Sequence, residues 1–278
     1  MYTKFFLTVF ALNFSFFLYS QNDNWFEPAP KGMQFVKQGG FDFIGDSTSK
    51  KITIAPFWMS NEIANKEYRE FTDYVNAHQN DTLNFTIFDS ISVNKYIVYK
   101  QLNKEIIDSM ALAKEYPVNS DKYHLYLNYF SDKKFDNYPV VGVSYFGAIY
   151  YCIWKTMIEQ AKNKNILIND YRLPTEEEWF YAAFLTKDNK EEICNEIKPS
   201  LSGKSNNLKL YNINSNVSEW TSKSSIDKQI KIIKGTSWKN EMNINDRKFI
   251  DKNTKAGYLG FRIVRSYIGT GVNMVIQK

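Results

Sequence analysis

Residues Tyr171–Ala183, "YRLPTEEEWFYAA", constrain local structure more than any other stretch of the chain. Pro174 fixes its own backbone and ends the extended segment before it. Thr175 and Glu178 have the spacing of a capping box, in which each side chain bonds the other residue's backbone N–H. The pattern predicts a helix that begins after Thr175 and buries a face formed by Trp179, Ala182 and Ala183.

A catalytic interpretation of the same stretch is possible, because three adjacent carboxylates could supply a general acid or base. However, Glu176 and Glu177 fall in the first helical turn, where the helix dipole favours negative charge by roughly 0.3–1 kcal/mol each. Glu178 has its place in the capping box. The helix start explains all three acids, and we favour it over a catalytic role.

Composition indicates a globular protein and excludes several functional classes. Apolar residues make up 44% of the chain and aromatic residues 17%, which can support a sizeable core. The net charge is +5, but lysines alternate with acids, and no basic face with interleaved aromatics is visible. We therefore expect no nucleic-acid partner.

The chain has two cysteines, Cys152 and Cys194, and two histidines, His78 and His124. This count excludes a disulfide framework and disfavours zinc or iron sites built on His clusters. Neither histidine lies near a nucleophile-elbow pattern, so a Ser-His-Asp triad is not supported. A single Cys152–Cys194 disulfide stays open.

The N-terminus has the pattern of a secretory signal over residues 1–20. Lys4 precedes an apolar run, and small Ser20 marks a cleavage point before Gln21. We expect an exported protein in the periplasm or the outer-membrane-associated envelope, with no transmembrane helix after cleavage. An uncleaved N-terminal anchor is the alternative. Residues 21–31 are predicted to be an extension.

Short strands and a few helices follow, which predicts an α+β fold. Gln34–Phe57 shows strand-like alternation, and Tyr68, Phe71 and Val75 have helical spacing, with Asn65 as the predicted cap. Ser144 is predicted to cap a long helix. Strands are predicted again in "KIIKGTSW" and "LGFRIV".

Residues about 76–137 differ in character, being rich in Asn, Asp, Lys and Tyr without one persistent period. We interpret them as an insertion that carries structure of its own, since a loop of this length without structure is uncommon in a compact domain. "NKYIVYKQL" is predicted to be a strand and "KEIIDSMALAKEY" a short helix.

The ordered motifs resemble those of formylglycine-generating enzymes, also called sulfatase-modifying factors. They are "FWMSNEIANKEYREF", "YPVVGVS", "YRLPTEEEWFYAA", "NVSEW", "KGTSW" and "GFRIV". The resemblance implies one α+β domain of the formylglycine-generating-enzyme fold, related to C-type lectins, over residues 32–266. Residues 267–278 would form a C-terminal tail.

Within that family, "NYFSDKKFDNYPVVGVSY" looks similar to the gliding-motility and type IX secretion lipoproteins K and J. The chain lacks their lipidation cysteine. The resemblance implies a component of an envelope assembly, with envelope proteins as partners.

The family's oxidases hold copper(I) with two cysteines between the motifs that correspond here to "KGTSW" and "GFR". Soft thiolates select Cu(I), but Lys239–Leu259 contains no cysteine. The resemblance therefore implies a catalytically silent member, and copper is not expected. A copper-dependent oxidase with other ligands stays as an alternative.

The resemblance also implies a calcium site in "LYNINSNVSEW". Asn212 and Glu219 match side-chain ligands, while Ser215 and Val217 match positions that offer backbone carbonyls. Oxygen ligands with a carboxylate suit Ca²⁺. The alternative is a polar loop in which Glu219 bonds local backbone amides.

Trp238 and Arg247 match positions beside the family's substrate groove. If that groove persists, the protein could bind glycans or peptides in a lectin-like manner, which is a further alternative. Arg172 and Arg262 are expected to brace loops.

Overall fold

The computed structural model describes residues 27–44, 49–89, 91–102, 106–163, 168–185, 194–225 and 227–269. The predicted signal peptide, residues 1–20, lies outside these residues, as does most of the predicted C-terminal tail. Ala29–Ile268 form a compact body of their own. Among the described residues, no helix is both long and apolar enough to cross a bilayer.

The body combines short strands with a few helices, so the predicted α+β class is confirmed. In chain order the strands are β1 Met33–Val36, β2 Gly39–Ile44, β3 Ser49–Ile54, β4 Phe57–Ser60, β5 Thr82–Asp89, β6 Ile91–Val98, β7 Tyr171–Arg172, β8 Ser218–Ser224, β9 Ile230–Lys234, β10 Lys248–Asp251, β11 Leu259–Gly260 and β12 Val264–Ser266. The α-helices are α1 Asn65–Ala77, α2 Tyr99–Leu102, α3 Asp121–Tyr126, α4 Tyr145–Lys162 and α5 Glu176–Phe184. Single 3₁₀ turns lie at Ala113–Glu115 and Lys133–Phe135.

Two four-stranded sheets bring distant parts of the chain together. The first has the order β1-β4-β12-β7 and the second the order β10-β9-β8-β11. Strand β4 lies in the interior of the first sheet and is buried along its whole length, including the polar Ser60 at its end. Hairpins β2-β3 and β5-β6 form separate two-stranded sheets.

Helices α1 and α4 meet through aromatic side chains. The rings of Tyr68 and Tyr151 stack with centroids 5.6 Å apart, and Phe71 lies 5.6 Å from Trp154. These residues recur at helical spacing, so each helix turns one apolar stripe towards the core. On α4, Ala148, Tyr151 and Trp154 are buried on the face that meets α1.

The predicted helix caps are confirmed at two of three helices. Thr175 Oγ1 accepts from Glu178 N at 3.1 Å, and Glu178 Oε2 accepts from Thr175 N at 2.9 Å. Ser144 Oγ accepts from Gly147 N at 3.0 Å. The cap prediction for Asn65 is wrong, because the N-cap is Ala64 and Asn65 is the first helical residue.

Asn65 instead anchors a distant segment. Its buried amide donates to the carbonyls of Phe135 and Tyr129, at 3.0 and 3.3 Å. Those residues belong to an aromatic cluster that has its own small core, which includes Leu112, Tyr126, Tyr129 and Phe135. A buried amide that satisfies two backbone carbonyls fixes the position of that cluster on α1.

Residues 106–116 do not form the short helix that the sequence predicts. Ile107 makes an isolated bridge to Val143, and turns lead into the 3₁₀ turn at Ala113–Glu115. The bridge to a distant strand-like residue outcompetes local helical hydrogen bonds, because it seats Ile106 and Leu112 in buried positions. The predicted strand "NKYIVYKQL" is confirmed only as far as Val98, because its last four residues, Tyr99–Leu102, form α2.

We predict that Thr175→Ala lowers the free energy of unfolding by about 0.5–2 kcal/mol, because one orphan N–H of α5 loses its acceptor. Thr72→Ala, inside α1, is the matched control and should be neutral or slightly stabilising, since alanine has the higher helix propensity. Urea denaturation of both variants measures the difference. Equal midpoints for the two variants would contradict the capping role.

Candidate functional site

A buried ion pair joins several of the sequence motifs. Both oxygens of Glu219 accept from Arg262, Oε2 from Nε and Oε1 from Nη2, each at 2.7 Å. Trp179 Nε1 also donates to Glu219 Oε2 at 2.7 Å. The side chains of Glu219 and Arg262 are 1% and 0% exposed, so this charge pair is screened from water. Its two-pronged geometry is the strong form of such a pair.

The elements around this pair explain its position. Glu219 lies in β8, which pairs in parallel with β11, so Gly260 lies opposite Glu219 and Arg262 follows two residues later. Arg262 also donates hydrogen bonds to the carbonyls of Ser60 and Tyr211, at 3.1 and 3.2 Å. The expectation that Arg262 braces loops is therefore confirmed.

Asn212, one of the predicted calcium ligands, shares no hydrogen-bond partner with Glu219 within the described part of the chain. Its backbone is left-handed, with φ of 51°, and its amide donates to Glu62 Oε2 at 3.0 Å and to Ser200 O at 3.2 Å. The Ser215 carbonyl accepts from Val217 N at 2.9 Å.

These contacts bear on whether the residues fit a calcium ion. The predicted carboxylate ligand, Glu219, has both oxygens committed to a guanidinium, which supplies the counter-charge that a cation would otherwise supply. As placed, Glu219 does not fit the ligand role. The calcium site, with Asn212, Ser215 and Val217, stays a prediction from the resemblance.

Glu62 is a site residue that the sequence reasoning missed. It is 2% exposed, and its carboxylate accepts from the amides of Asn212 and Asn216. Burial raises the pKa of Glu62 to about 8, and the nearby Glu219 charge adds to this, while Arg262 and the two amides oppose it. The one feature of the sequence that could have pointed to Glu62 is its position, an acid between strand β4 and the start of α1.

Arg247, predicted to line a groove, is bound to a buried acid instead. Its Nη2 donates to Glu176 Oε2 at 2.7 Å, and its Nε also bonds this carboxylate. Lys234 lies 3.8 Å from Glu176 and is itself buried. Burial lowers the pKa of Lys234 to about 8, although the Glu176 charge opposes this shift. Glu176 thus has a structural explanation.

The other two acids of the stretch are also paired. Glu178 receives two hydrogen bonds from Arg172, both at 2.7 Å, in addition to its capping contact. Glu177 accepts from Lys223 at 2.9 Å near the surface. The structural interpretation of the three acids is therefore supported at each position.

Trp238, the second predicted groove residue, is half-buried under a ring from the aromatic cluster. Its indole stacks on Tyr116 with centroids 5.5 Å apart and planes 11° apart. Its Nε1 donates to Gly257 O at 3.1 Å. Both predicted groove residues are thus committed to contacts within the chain.

Leu112–Tyr116, which we call the cover segment, lies on the interval between Trp238 and Leu259. Glu115 accepts from Gly257 N at 2.9 Å and forms an ion pair with Lys239. A Cβ atom at Gly257 would lie 2.6 Å from Leu112 Cα, so only glycine permits this approach. The cover segment therefore rests directly on the interval where the oxidases of the predicted family carry their cysteines.

Neither thiol lies in that interval. Cys152 in α4 is 2% exposed, and burial raises its thiol pKa. Cys194 is also buried, and the structure does not join it to Cys152 in the disulfide that the sequence left open. A buried thiol of raised pKa is protonated at neutral pH and is a poor nucleophile or metal ligand.

A comparison with family models decides the relationship. Residues 23–193 and 185–267 match the model described as the sulfatase-modifying factor enzyme 1-like domain. The chain belongs to this family. The predicted family and its fold are thereby confirmed.

Solved structures of sulfatase-modifying-factor-like fold agree with this assignment. The crystal structure of CarF is 16% identical, with a TM-score of 0.54, and the match covers 86% of this chain and 99% of CarF. The structure of PvdO from Pseudomonas aeruginosa is 15% identical, with a TM-score of 0.52, and covers 84% of this chain and 94% of PvdO. At such identities the likeness shows the fold alone. A search of curated proteins gives no match.

We predict that Glu219→Gln lowers the free energy of unfolding by about 3–5 kcal/mol, because it leaves the Arg262 charge buried without its partner. The loss should be equal in EDTA and in excess Ca²⁺. Glu177→Gln, which removes only a surface pair, should cost about 0–1 kcal/mol under both conditions. Denaturant unfolding in the two buffers measures both variants. A loss confined to the Ca²⁺ buffer would assign Glu219 to an ion instead of Arg262.

Proposed function

We propose that this protein is a catalytically silent sulfatase-modifying-factor-like protein that acts as a binding or scaffold component of a cell-envelope assembly. The observation that carries the proposal is the cover segment, which rests on a cysteine-free interval between Trp238 and Leu259. The domain would thus keep the fold of the family and use its surface to bind partner proteins.

Chemistry supports the silent half of the proposal. A Cu(I) site of the family type needs soft thiolates, and Lys239–Leu259 offers none. Met242 is the one sulfur of the interval and is 9% exposed, and a single thioether does not replace two thiolates. Cys152 and Cys194 are buried within other parts of the fold.

Access supports it as well. Substrate would have to displace the Tyr116–Trp238 stack and the Glu115 contacts to reach the interval. Aromatic stacking of this kind contributes about 0.5–1.5 kcal/mol beyond its buried area. The cover segment belongs to an aromatic cluster with its own core, so it would not lift as an isolated loop.

The envelope half of the proposal comes from the sequence. Residues 1–20 have the pattern of a secretory signal, which would deliver the domain to the periplasm or the outer-membrane-associated envelope. The stretch "NYFSDKKFDNYPVVGVSY" resembles the gliding-motility and type IX secretion lipoproteins K and J. Envelope proteins are therefore the proposed partners.

A lectin-like groove at Trp238 and Arg247 receives less support. Trp238 is stacked on Tyr116, and Arg247 is bound to Glu176, so neither side chain is presented for a glycan. A copper-dependent oxidase remains the alternative that an activity measurement must address.

An oxidation assay on a cysteine-containing substrate peptide, with added Cu(I) and oxygen, tests the silent half. We predict no formylglycine product above that of a protein-free control with the same Cu(I) and oxygen, either from the wild-type protein or from a Cys152→Ala/Cys194→Ala variant, because neither thiol is proposed to react. Mass spectrometry of the peptide gives the readout. Product above the protein-free control, with either protein, would contradict catalytic silence.

Affinity capture from an envelope fraction tests the binding half. We predict retention of a defined envelope protein at fixed stoichiometry by the wild-type protein and by the cysteine-free variant alike. Retention of no envelope protein, or capture that depends on either cysteine, would contradict the proposal.

A further inference from the structure

A second candidate site lies in a cavity on another part of the body. Its volume is about 700 Å³, within the range of small-ligand sites. The wall includes Glu62, Ser200 and Tyr211, while Lys31, Lys66 and Lys209 also line it. None of these residues belongs to the cover segment or to the interval that it covers.

Two buried polar groups of the wall, the Glu62 carboxyl and the Ser200 hydroxyl, lack a full set of partners among the described residues. The Glu62 carboxylate is bonded by amides alone, from Asn212 and Asn216, while Arg262 gives its donors to Glu219, Ser60 and Tyr211. The hydroxyl of Ser200, a residue 3% exposed, has no hydrogen-bond partner among the described residues. Buried polar groups are normally satisfied, so the unpartnered Ser200 hydroxyl points to a ligand. The Glu62 carboxyl beside it accepts hydrogen bonds from amides and has no bonded cation within the described residues.

The rim carries the opposite charge. Lys31, Lys66 and Lys209 are exposed and form no salt bridge within the described part of the chain. The two further acids of the lining are already bonded, Glu67 to the Ala64 N–H and Asp136 to Arg69. A ligand that complements the whole cavity thus needs a cationic group for the buried carboxylate and an anionic group for the lysines.

We propose that this cavity binds a short peptide through its free ends. The α-ammonium group lies against the Glu62 carboxylate and donates towards Ser200, and the terminal carboxylate meets the lysine rim. A tripeptide suits the cavity volume, and Tyr151, Tyr171 and Tyr211 provide apolar wall for its side chains. The inference does not depend on catalytic silence.

Isothermal titration calorimetry with tri-alanine tests this proposal on the wild-type protein. We expect binding of tri-alanine, a loss of at least about tenfold in affinity for N-acetyl-tri-alanine, and a smaller loss for tri-alanine amide, because a buried charge pair contributes more than a rim pair. Single alanine, which carries both charges without the length, should bind more weakly than tri-alanine.

Variants localise the site. Glu62→Gln should weaken tri-alanine binding at least about tenfold. Lys66→Gln should weaken it less and leave folding intact, because it only removes a cation from the first turn of α1. Glu241→Gln, exposed and outside the cavity, should bind like the wild type.

Three results would overturn the proposal. These are no binding of tri-alanine to the wild type, equal binding of the free and N-acetylated peptides, and stabilisation of the wild type by Ca²⁺ alone that is lost in Glu62→Gln. The last would assign the carboxylate to a metal ion. The peptide comparisons use unaltered protein, so they decide the matter even if Glu62→Gln folds poorly.

Discussion

The buried pair of Arg262 and Glu219 is the interaction on which the rest of the structure depends. It joins β8 to the chain after β11, holds the Trp179 indole from α5, and reaches β4 through the Ser60 carbonyl. Sequence motifs that lie far apart are therefore parts of one charge network. Two other acid–arginine pairs, which involve Glu176 and Glu178, lie at the start of α5. Breaking one member leaves an uncompensated buried charge, so the network favours one arrangement of the two sheets.

The cover segment is the part of the structure that distinguishes this chain's surface near Trp238. Leu112–Tyr116 places an aromatic ring, a carboxylate and close backbone contact on the interval from Trp238 to Gly257. The same fold that could expose a reactive loop here presents a closed surface. Asn65 links α1 to the cluster that carries this segment, so the cover is tied to the core of the domain and is not an appended loop.

The sequence predicted the helix features that depend on neighbouring residues, but it did not predict the ion pairs between residues far apart in the chain. The capping box at Thr175 and Glu178 and the buried face of α5 depend on residues within one or two turns, and both are confirmed. The partners of Glu219 and Arg247 depend on side chains tens of residues away, and no spacing rule predicts them. Glu62 escaped notice for the same reason, since its amide partners lie in a distant loop. The segment 106–116 was mispredicted as a helix because its bridge to Val143 and its burial outweigh local propensity.

The central claim is that the cover segment closes the interval from Lys239 to Leu259 in solution. Amide hydrogen exchange of the wild type and of a Glu115→Ala/Tyr116→Ala variant tests this most directly, because Gly257 N donates to the Glu115 carboxylate. The account predicts protection at Gly257 and its neighbours in the wild type, lost in the variant while the α5 amides stay protected. Exchange in this interval that is equally fast in both proteins would show that the cover segment does not rest there, and would contradict the account.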